Sequence, residues 1–390
     1  MKPKVFILGA GYAGILAANR LEKQLKEAEI VLVSESSEFK ERIRFHELAS
    51  TGSEKKIKIK DLLRTKVNFL QAKITKIKPK ENVIEIDGNP NSIAYDYLII
   101  TLGSSQIHQI QNVTNSIQSN EATSNFIKKY KQNEIQKLGI IGGGLTGIEM
   151  ASEWKYFHPN TSVFLIDKNK FGSSFSEKGK NYLKTYLSKN NIHILDQTKI
   201  LSTNENEITF EDQNKISFDC ILNCSGFKSS PLLKEAGFST NSKNQIYVDP
   251  FLRSLSFPNV FVAGDSAFLE NSILRMGCVT ALPMGAHIAD QIANLIREKK
   301  LSPFLFQFFG RCVSLGRKEG LIQFTYGDDK PKEWIITGKW GAVIKELVNQ
   351  FTIFSLKMEK YLPFRFYFWP KGNPIQKKEP VLTKTISIGT

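Results

Sequence analysis

Thiols, arginine and uninterrupted apolar stretches are all scarce in this chain. Its four cysteines (Cys220, Cys224, Cys278, Cys312) fall in the second half of 390 residues, with no C-x-x-C pair and no zinc-type spacing. A disulfide scaffold and a cysteine-bound metal centre are therefore excluded, no metal ligand is assigned, and a reducing cytoplasm is the natural compartment. No apolar run approaches the roughly 18 residues of a membrane-spanning helix. Of the 53 basic residues only 10 are Arg, so the net charge of +15 rests on lysines scattered among Asn and Ile. Base reading and bidentate phosphate contacts favour Arg, and nucleic acid is not the expected partner. With 41% hydrophobic and 23% charged residues the chain is not mostly disordered, and its length suits two or three domains.

What the sequence does contain begins at the N-terminus. MKPKVFILGAGYAGILAANR has the basic start and apolar run of a secretory signal. Gly9, Gly11 and Gly14, however, stand at dinucleotide-fold spacing, and the segment reads better as a strand (Val5 to Leu8), a tight turn and a helix. In the cradle Gly9-Ala10-Gly11-Tyr12-Ala13-Gly14 the first glycine permits the turn. The second lets backbone approach a pyrophosphate, and the third lets the helix pack on its strand. The phosphate would then sit at a helix N-terminus, where free N–H groups welcome negative charge. A second apolar run, Ile30 to Val33, leads to Glu35 as the ribose ligand, one position beyond the usual count.

A second cradle is cleaner. Ile140-Ile141 runs into Gly142-Gly143-Gly144-Leu145-Thr146-Gly147, and the next strand, Val163 to Ile166, ends in Asp167. An acid there accepts both ribose hydroxyls and repels a 2′-phosphate, which favours NADH over NADPH. Lys168 and Lys170 leave NADPH open. One glycine-rich turn is a weak signal; two complete units about 130 residues apart are a strong one.

Further along, Val260-Phe261-Val262-Ala263-Gly264-Asp265 is a short strand ending in Gly-Asp. With Tyr95-Asp96-Tyr97-Leu98-Ile99-Ile100-Thr101-Leu102-Gly103-Ser104 and a matching strand Asp219 to Gly226, the chain resembles the two-dinucleotide-binding-domain flavoproteins. The resemblance implies that the first cradle holds FAD, that Asp265 binds its ribityl chain, and that the second cradle, closed by Gly226, holds NADH. Disulfide reductases of this group need a Cys pair after the first acidic region, and flavin peroxidases one Cys. Here that region reads Glu38 to Ala49, and no cysteine precedes Cys220. Cys220 and Cys224 read as inert core residues.

What remains resembles the single-subunit type II NADH dehydrogenases and the apoptosis-inducing-factor-like group that includes ferroptosis suppressor protein. The particular pieces are His46-Glu47-Leu48-Ala49-Ser50-Thr51-Gly52, the Gly-Gly-Gly-x-Thr-Gly-x-Glu cradle, and Ser314 to Gly320 with Gln323. By that resemblance His46 touches the flavin, Ile74 offers backbone to the adenine, and Lys345 lies near the flavin; a satisfied half-buried histidine is the other reading of His46. Hydride transfer from nicotinamide C4 to flavin N5 needs no side-chain acid or base. Glu149, in the first turn after the second cradle, either assists proton transfer or complements the helix dipole. The segment Met276 to His287 is expected to enter a helix aimed at the flavin's anionic edge.

The family's glutamine-bearing quinone mouth is here Ala281-Leu282-Pro283-Met284, without glutamine. Residues 351–390, by contrast, carry seven basic and two acidic side chains among aromatics, a mixture suited to a membrane interface. The alternative is a tail packed on its own body or on a second copy in a homodimer. The expected architecture is α/β: an FAD-binding domain in two parts (1–110 and 245–325), an inserted NAD(P)H-binding domain (111–244), and a C-terminal cap (326–390). The expected function is an FAD-dependent NADH dehydrogenase reducing a quinone, cytoplasmic or peripheral on the cytoplasmic membrane. Alternatives are a reductase of a protein electron carrier, or an NADH-sensing flavoprotein bound to a macromolecular partner.

Overall fold

The computed structural model of the chain describes residues 2–53, 56–106, 113, 115, 116, 120–130 and 135–372. Parts of two expectations, the start of the inserted domain at 111 and the tail beyond residue 372, lie outside the described residues.

Five apolar runs form the first sheet. Its order is Val260–Val262, Tyr97–Ile100, Lys4–Leu8, Glu29–Ser34, Val67–Gln71, and every neighbouring pair is parallel. The middle strands are buried along their whole apolar length instead of alternating, as a sheet covered by helices on both faces requires. Strand order reverses at Lys4–Leu8, which opens a crevice at the strands' carboxyl ends. The first cradle occupies that position. Helix Tyr12–Gln24 follows it and packs against helix Cys278–Ile296.

The second sheet repeats the plan with four parallel strands, Ile192–Leu195, Ser162–Ile166, Lys137–Ile141 and Cys220–Asn223. Helix Leu145–Phe157 follows its central strand. Each unit also inserts a three-stranded antiparallel sheet before a later parallel strand: Ile74–Lys78, Val83–Ile86 and Ile93–Ala94 in one, Ile200–Thr203, Glu207–Phe210 and Lys215–Ser217 in the other. The chain passes between the units through two short strands that pair with each other, Ser104–Gln106 and Phe227–Ser229. Gly103 and Gly226 precede them at φ +72° and +73°, where a side chain is strained.

A third layer is an antiparallel sheet, Gly310–Leu315, Glu319–Thr325 and Pro331–Ile336, followed by the 24-residue helix Gly338–Tyr361. The expected 325/326 boundary falls inside that sheet, where Ile322 pairs with Ile336 and Thr325 with Pro331. Residues 351–361 likewise belong to the long helix and not to a separate tail. Beyond the helix, residues 362–371 fold back onto helix Tyr12–Gln24. Buried Glu359 accepts from the backbone N–H groups of Phe366 and Tyr367, both at 2.9 Å, and pairs with Lys23 at 2.7 Å. Arg20, held by Asp290 at 2.8 Å, donates to the Tyr367 carbonyl. Buried charges persist only when partnered in this way, and the clamp fixes the last helix against the first.

Candidate active site between two glycine cradles

The two cradles are built alike. Gly9 and Gly142 have φ of +104° and +110°, and a Cβ added at Gly14 or Gly147 would lie 2.0 or 1.8 Å from the carbonyl oxygen of Gly9 or Gly142. The first glycine of each is thus required by backbone conformation and the last by helix–turn contact. The middle glycines, Gly11 and Gly144, have nothing within 4 Å of a would-be Cβ. They cap helices that no side chain caps, so open space and free N–H groups coincide at both turns. That is the cradle a pyrophosphate fills, and the residues present fit two dinucleotides. Ala10, Tyr12 and Ala13 are buried in the first turn, and the Tyr12 ring meets Phe39 edge-on at 5.1 Å.

The expected acids differ in setting. Asp167 ends its strand with both oxygens engaged: Oδ2 accepts from Gly143 N–H and Oδ1 from Asn169 N–H, each at 2.7 Å. Its charge is therefore held at the second cradle. Glu35 lies one residue past strand Glu29–Ser34 with an exposed side chain. Ile74 opens its strand opposite Ile86. Asp265 follows Gly264 (φ +66°) and ties three segments together. Its Oδ1 accepts from Gly277 N–H at 2.8 Å, its Oδ2 from Ser104 Oγ at 2.6 Å, and Arg42 stands 3.8 Å away. Helix Cys278–Ile296 begins immediately after, again without a side-chain cap.

Glu149 and Lys345, far apart in sequence, meet at 2.9 Å with nearly buried side chains. Ser314 N–H also donates to Glu149 Oε1 at 3.1 Å. Burial, the largest single influence, pushes the Glu149 carboxyl up, but Lys345, His46 and the Ser314 N–H together outweigh it and hold the group below its ordinary range. Burial works against the Lys345 charge too, and Glu149 keeps its pKa above the usual value. His46 Nδ1 lies 4.0 Å from Glu149 Oε2, and burial lowers the imidazole pKa. One turn beyond Glu149, fully buried Glu153 is pushed up to about 7 by burial despite Arg317 at 2.6 Å.

Beside this cluster is a cavity of about 610 Å³, lined by Arg44, Phe45, Leu48, Gln350, Ile353 and Phe354 among others. Arg44 braces its wall by pairing with Glu41, Glu47 and Glu346. These cavity residues escaped the sequence reading. Arg44 and Glu346 follow no motif, and Ser314 contributes only a backbone N–H, which leaves no trace in residue type. Gln323, by contrast, is a packing residue whose buried amide oxygen accepts from Ser176. Burial pushes the Cys278 thiol up to about 11 and the Cys224 thiol up to about 12, so neither offers a thiolate at neutral pH. Among the described residues no group of three or more His, Cys, Asp or Glu side chains is arranged to hold a metal.

Two parallel sheets, each with a dinucleotide cradle at its strand ends and joined by paired crossing strands, define a two-dinucleotide oxidoreductase fold. Residues 3–293 match the sequence profile of the pyridine nucleotide-disulphide oxidoreductases, and the chain belongs to that family. It is 26% identical over 400 residues to the type II NADH:quinone oxidoreductase of Staphylococcus haemolyticus, spanning 91% of this chain and 96% of the relative. The same figures hold for the Staphylococcus aureus enzyme of that description. Among solved structures, the sulfide:quinone oxidoreductase of Aquifex aeolicus superposes with a TM-score of 0.78 at 18% identity, covering 92% of each chain. NDH2 from Plasmodium falciparum, solved with NADH, gives 0.76 at 14% identity, covering 92% of this chain and 98% of that one. These structural likenesses establish the fold.

Proposed function

We propose that the chain is an FAD-dependent NADH dehydrogenase that delivers electrons to a quinone at a membrane surface. The observation that carries the reading is the buried Glu149–Lys345 pair, set beside the second cradle on one side and, on the other, a cavity whose wall combines charged groups with Phe45, Leu48, Ile57, Ile353 and Phe354. The relatives' description as NADH:quinone oxidoreductases supports the same conclusion.

In this reading Gly9 to Gly14, Glu35, Ile74, Gly103, Gly264 and Asp265 hold FAD, and Gly142, Gly144, Gly147, Asp167 and Gly226 hold NADH. Bound FAD supplies a hydride acceptor that can pass the electrons on. The chain's own residues orient and exclude. The open N-terminus of helix Cys278–Ile296 favours negative charge at the cofactor edge. Asp167, pinned to Gly143 N–H, repels a 2′-phosphate and selects NADH. Lys345 and Glu149 form a buried donor–acceptor pair that can place a proton at the acceptor oxygen.

The cavity's position supports a lipid-borne acceptor. Helix Gly338–Tyr361 lines it with Ile353 and Phe354 and shows an apolar stripe outside: Trp340 (73% exposed), Val343, Leu347 (58%), Phe351 and Phe354. Phe364 and Phe368 (70%) are exposed in the segment after the helix, and Lys339 and Lys357 are exposed on the helix. Exposed aromatics flanked by lysines suit an interfacial helix lying on a membrane. Among the described residues no helix is long and apolar enough to cross one.

The purified protein is expected to be yellow, to bleach with NADH, and to recover its colour rapidly on mixing with a short-chain quinone. Bleaching without quinone-stimulated turnover defeats the acceptor assignment; a colourless protein that takes up no FAD defeats the reading altogether.

A further inference from the structure

We propose that His46 is a proton-relay residue that carries protons between Glu47, at the cavity wall, and the buried Glu149–Lys345 pair. The inference rests on the quinone-reductase reading, because it is the reduction of a quinone that draws protons from the site. The overall reaction, NADH + H⁺ + quinone → NAD⁺ + quinol, takes two electrons and one proton from NADH. The second proton must come from water, and the donor pair is buried.

The geometry supplies a path. His46 is the second residue of the short helix Phe45–Thr51 and only 3% exposed. Its Nδ1 stands 4.0 Å from Glu149 Oε2 and its Nε2 stands 4.0 Å from Glu47 Oε1. Buried Nε2 has no hydrogen-bond partner. A histidine kept for structure has its buried nitrogens satisfied; this one faces a carboxylate from each side, a small rotation short of bonding either. Glu47 lines both the large cavity and the adjoining opening, which also holds Ser314, Lys345 and Arg317.

Four charged groups act on the ring: Glu149 and Glu47 favour its cation, Lys345 and Arg317 oppose it, and burial outweighs them to keep it neutral. A neutral imidazole carries one N–H and one lone pair, which is what a relay needs. A proton from cavity water passes by way of Glu47, whose Oε1 also accepts from Arg44 at 2.9 Å, to Nε2 as the Nδ1 proton passes to Glu149, replacing the one that the Glu149–Lys345 pair delivers to the quinone oxygen. The ring gains no net charge and resets by a ring flip. The local order of residues is Glu47, His46, Glu149, and removing either of the first two breaks it.

The test uses the full-length, flavin-loaded protein and the variants His46→Gln and Glu47→Gln. In stopped flow, each variant is expected to slow quinone reoxidation relative to NADH reduction by on the order of 100-fold, the usual weight of general acid–base transfer. The solvent deuterium effect on reoxidation should rise, and added imidazole should restore His46→Ala. Independently of turnover, ¹⁵N-histidine spectra of the resting protein at pH 8 should show His46 as a neutral ring exchanging between tautomers. Should His46→Gln lose its flavin, Glu47→Gln decides the matter. Wild-type reoxidation rates in the variants, or a ring locked in one tautomer, overturn the relay while leaving the quinone reading intact. A wild-type protein that does not reduce quinones overturns both.

Discussion

Replacing Lys345 by Met leaves the Glu149 carboxylate buried with only Ser314 N–H and the distant imidazole to stabilise it. Breaking a buried pair from one side costs about 3–5 kcal/mol. In the wild type the folded pKa of Glu149 is depressed, so its contribution is full above the unfolded value near 4.5 and fades as pH falls through the lower folded value. In Lys345→Met burial is opposed only by the Ser314 N–H and the imidazole, and the folded pKa rises. The penalty is then complete in alkaline solution and is relieved on acidification. Glu149→Gln must show the opposite trend, since it strands an ammonium: its penalty is largest in acid and eases as pH rises. The double variant Glu149→Gln/Lys345→Met strands neither charge and should be more stable than the sum of the singles by about 2–3 kcal/mol. Equilibrium urea unfolding of the full chain at pH 5, 7 and 9, followed by circular dichroism and tryptophan fluorescence together, measures all four corners. Additivity within about 0.5 kcal/mol, or the same pH trend in both singles, refutes the argument.

The two cradles should separate genetically. Gly14→Ala, whose Cβ would meet the Gly9 carbonyl at 2.0 Å, should purify without flavin colour, whereas Gly147→Ala, at 1.8 Å from Gly142, should keep its colour and fail to bleach with NADH. His287 is buried with a pKa pushed down to about 4, mainly by burial. The unfolded chain therefore takes up a proton that the folded chain refuses, and stability falls from about pH 6.5 towards pH 4 by up to roughly 3 kcal/mol. A His287→Phe variant should flatten that acid limb in a thermal-melt series; an unchanged limb counts against the assignment. Substituting Ser at Trp340 and Phe351, both exposed on the outer stripe, should abolish co-sedimentation with anionic vesicles while leaving the melting temperature within a few degrees, and retention on vesicles would remove the membrane face.

The cradles were legible from residue order alone because their chemistry is local. Each needs glycine at fixed steps from a strand end, and Gly9, Gly14, Gly142 and Gly147 stand where backbone atoms leave no room for a Cβ. The parallel sheets followed from apolar runs, and the inert cysteines from their apolar neighbours. Other features had no local cause. The hairpin 310–325 belongs with strand Pro331–Ile336 through hydrogen bonds that no composition change marks. The outer half of the last helix reads in sequence as a basic aromatic tail, yet buried Glu359 and Arg20 fasten the residues after it to the first helix.

Sequence by itself determined that two nucleotide turns exist and that no thiol precedes Cys220. Only the tertiary structure decided that Glu149, Lys345, His46 and the Ser314 N–H converge. Charges taken out of water must find partners, and here those partners come from three segments of chain that meet only when the third layer closes over the second cradle.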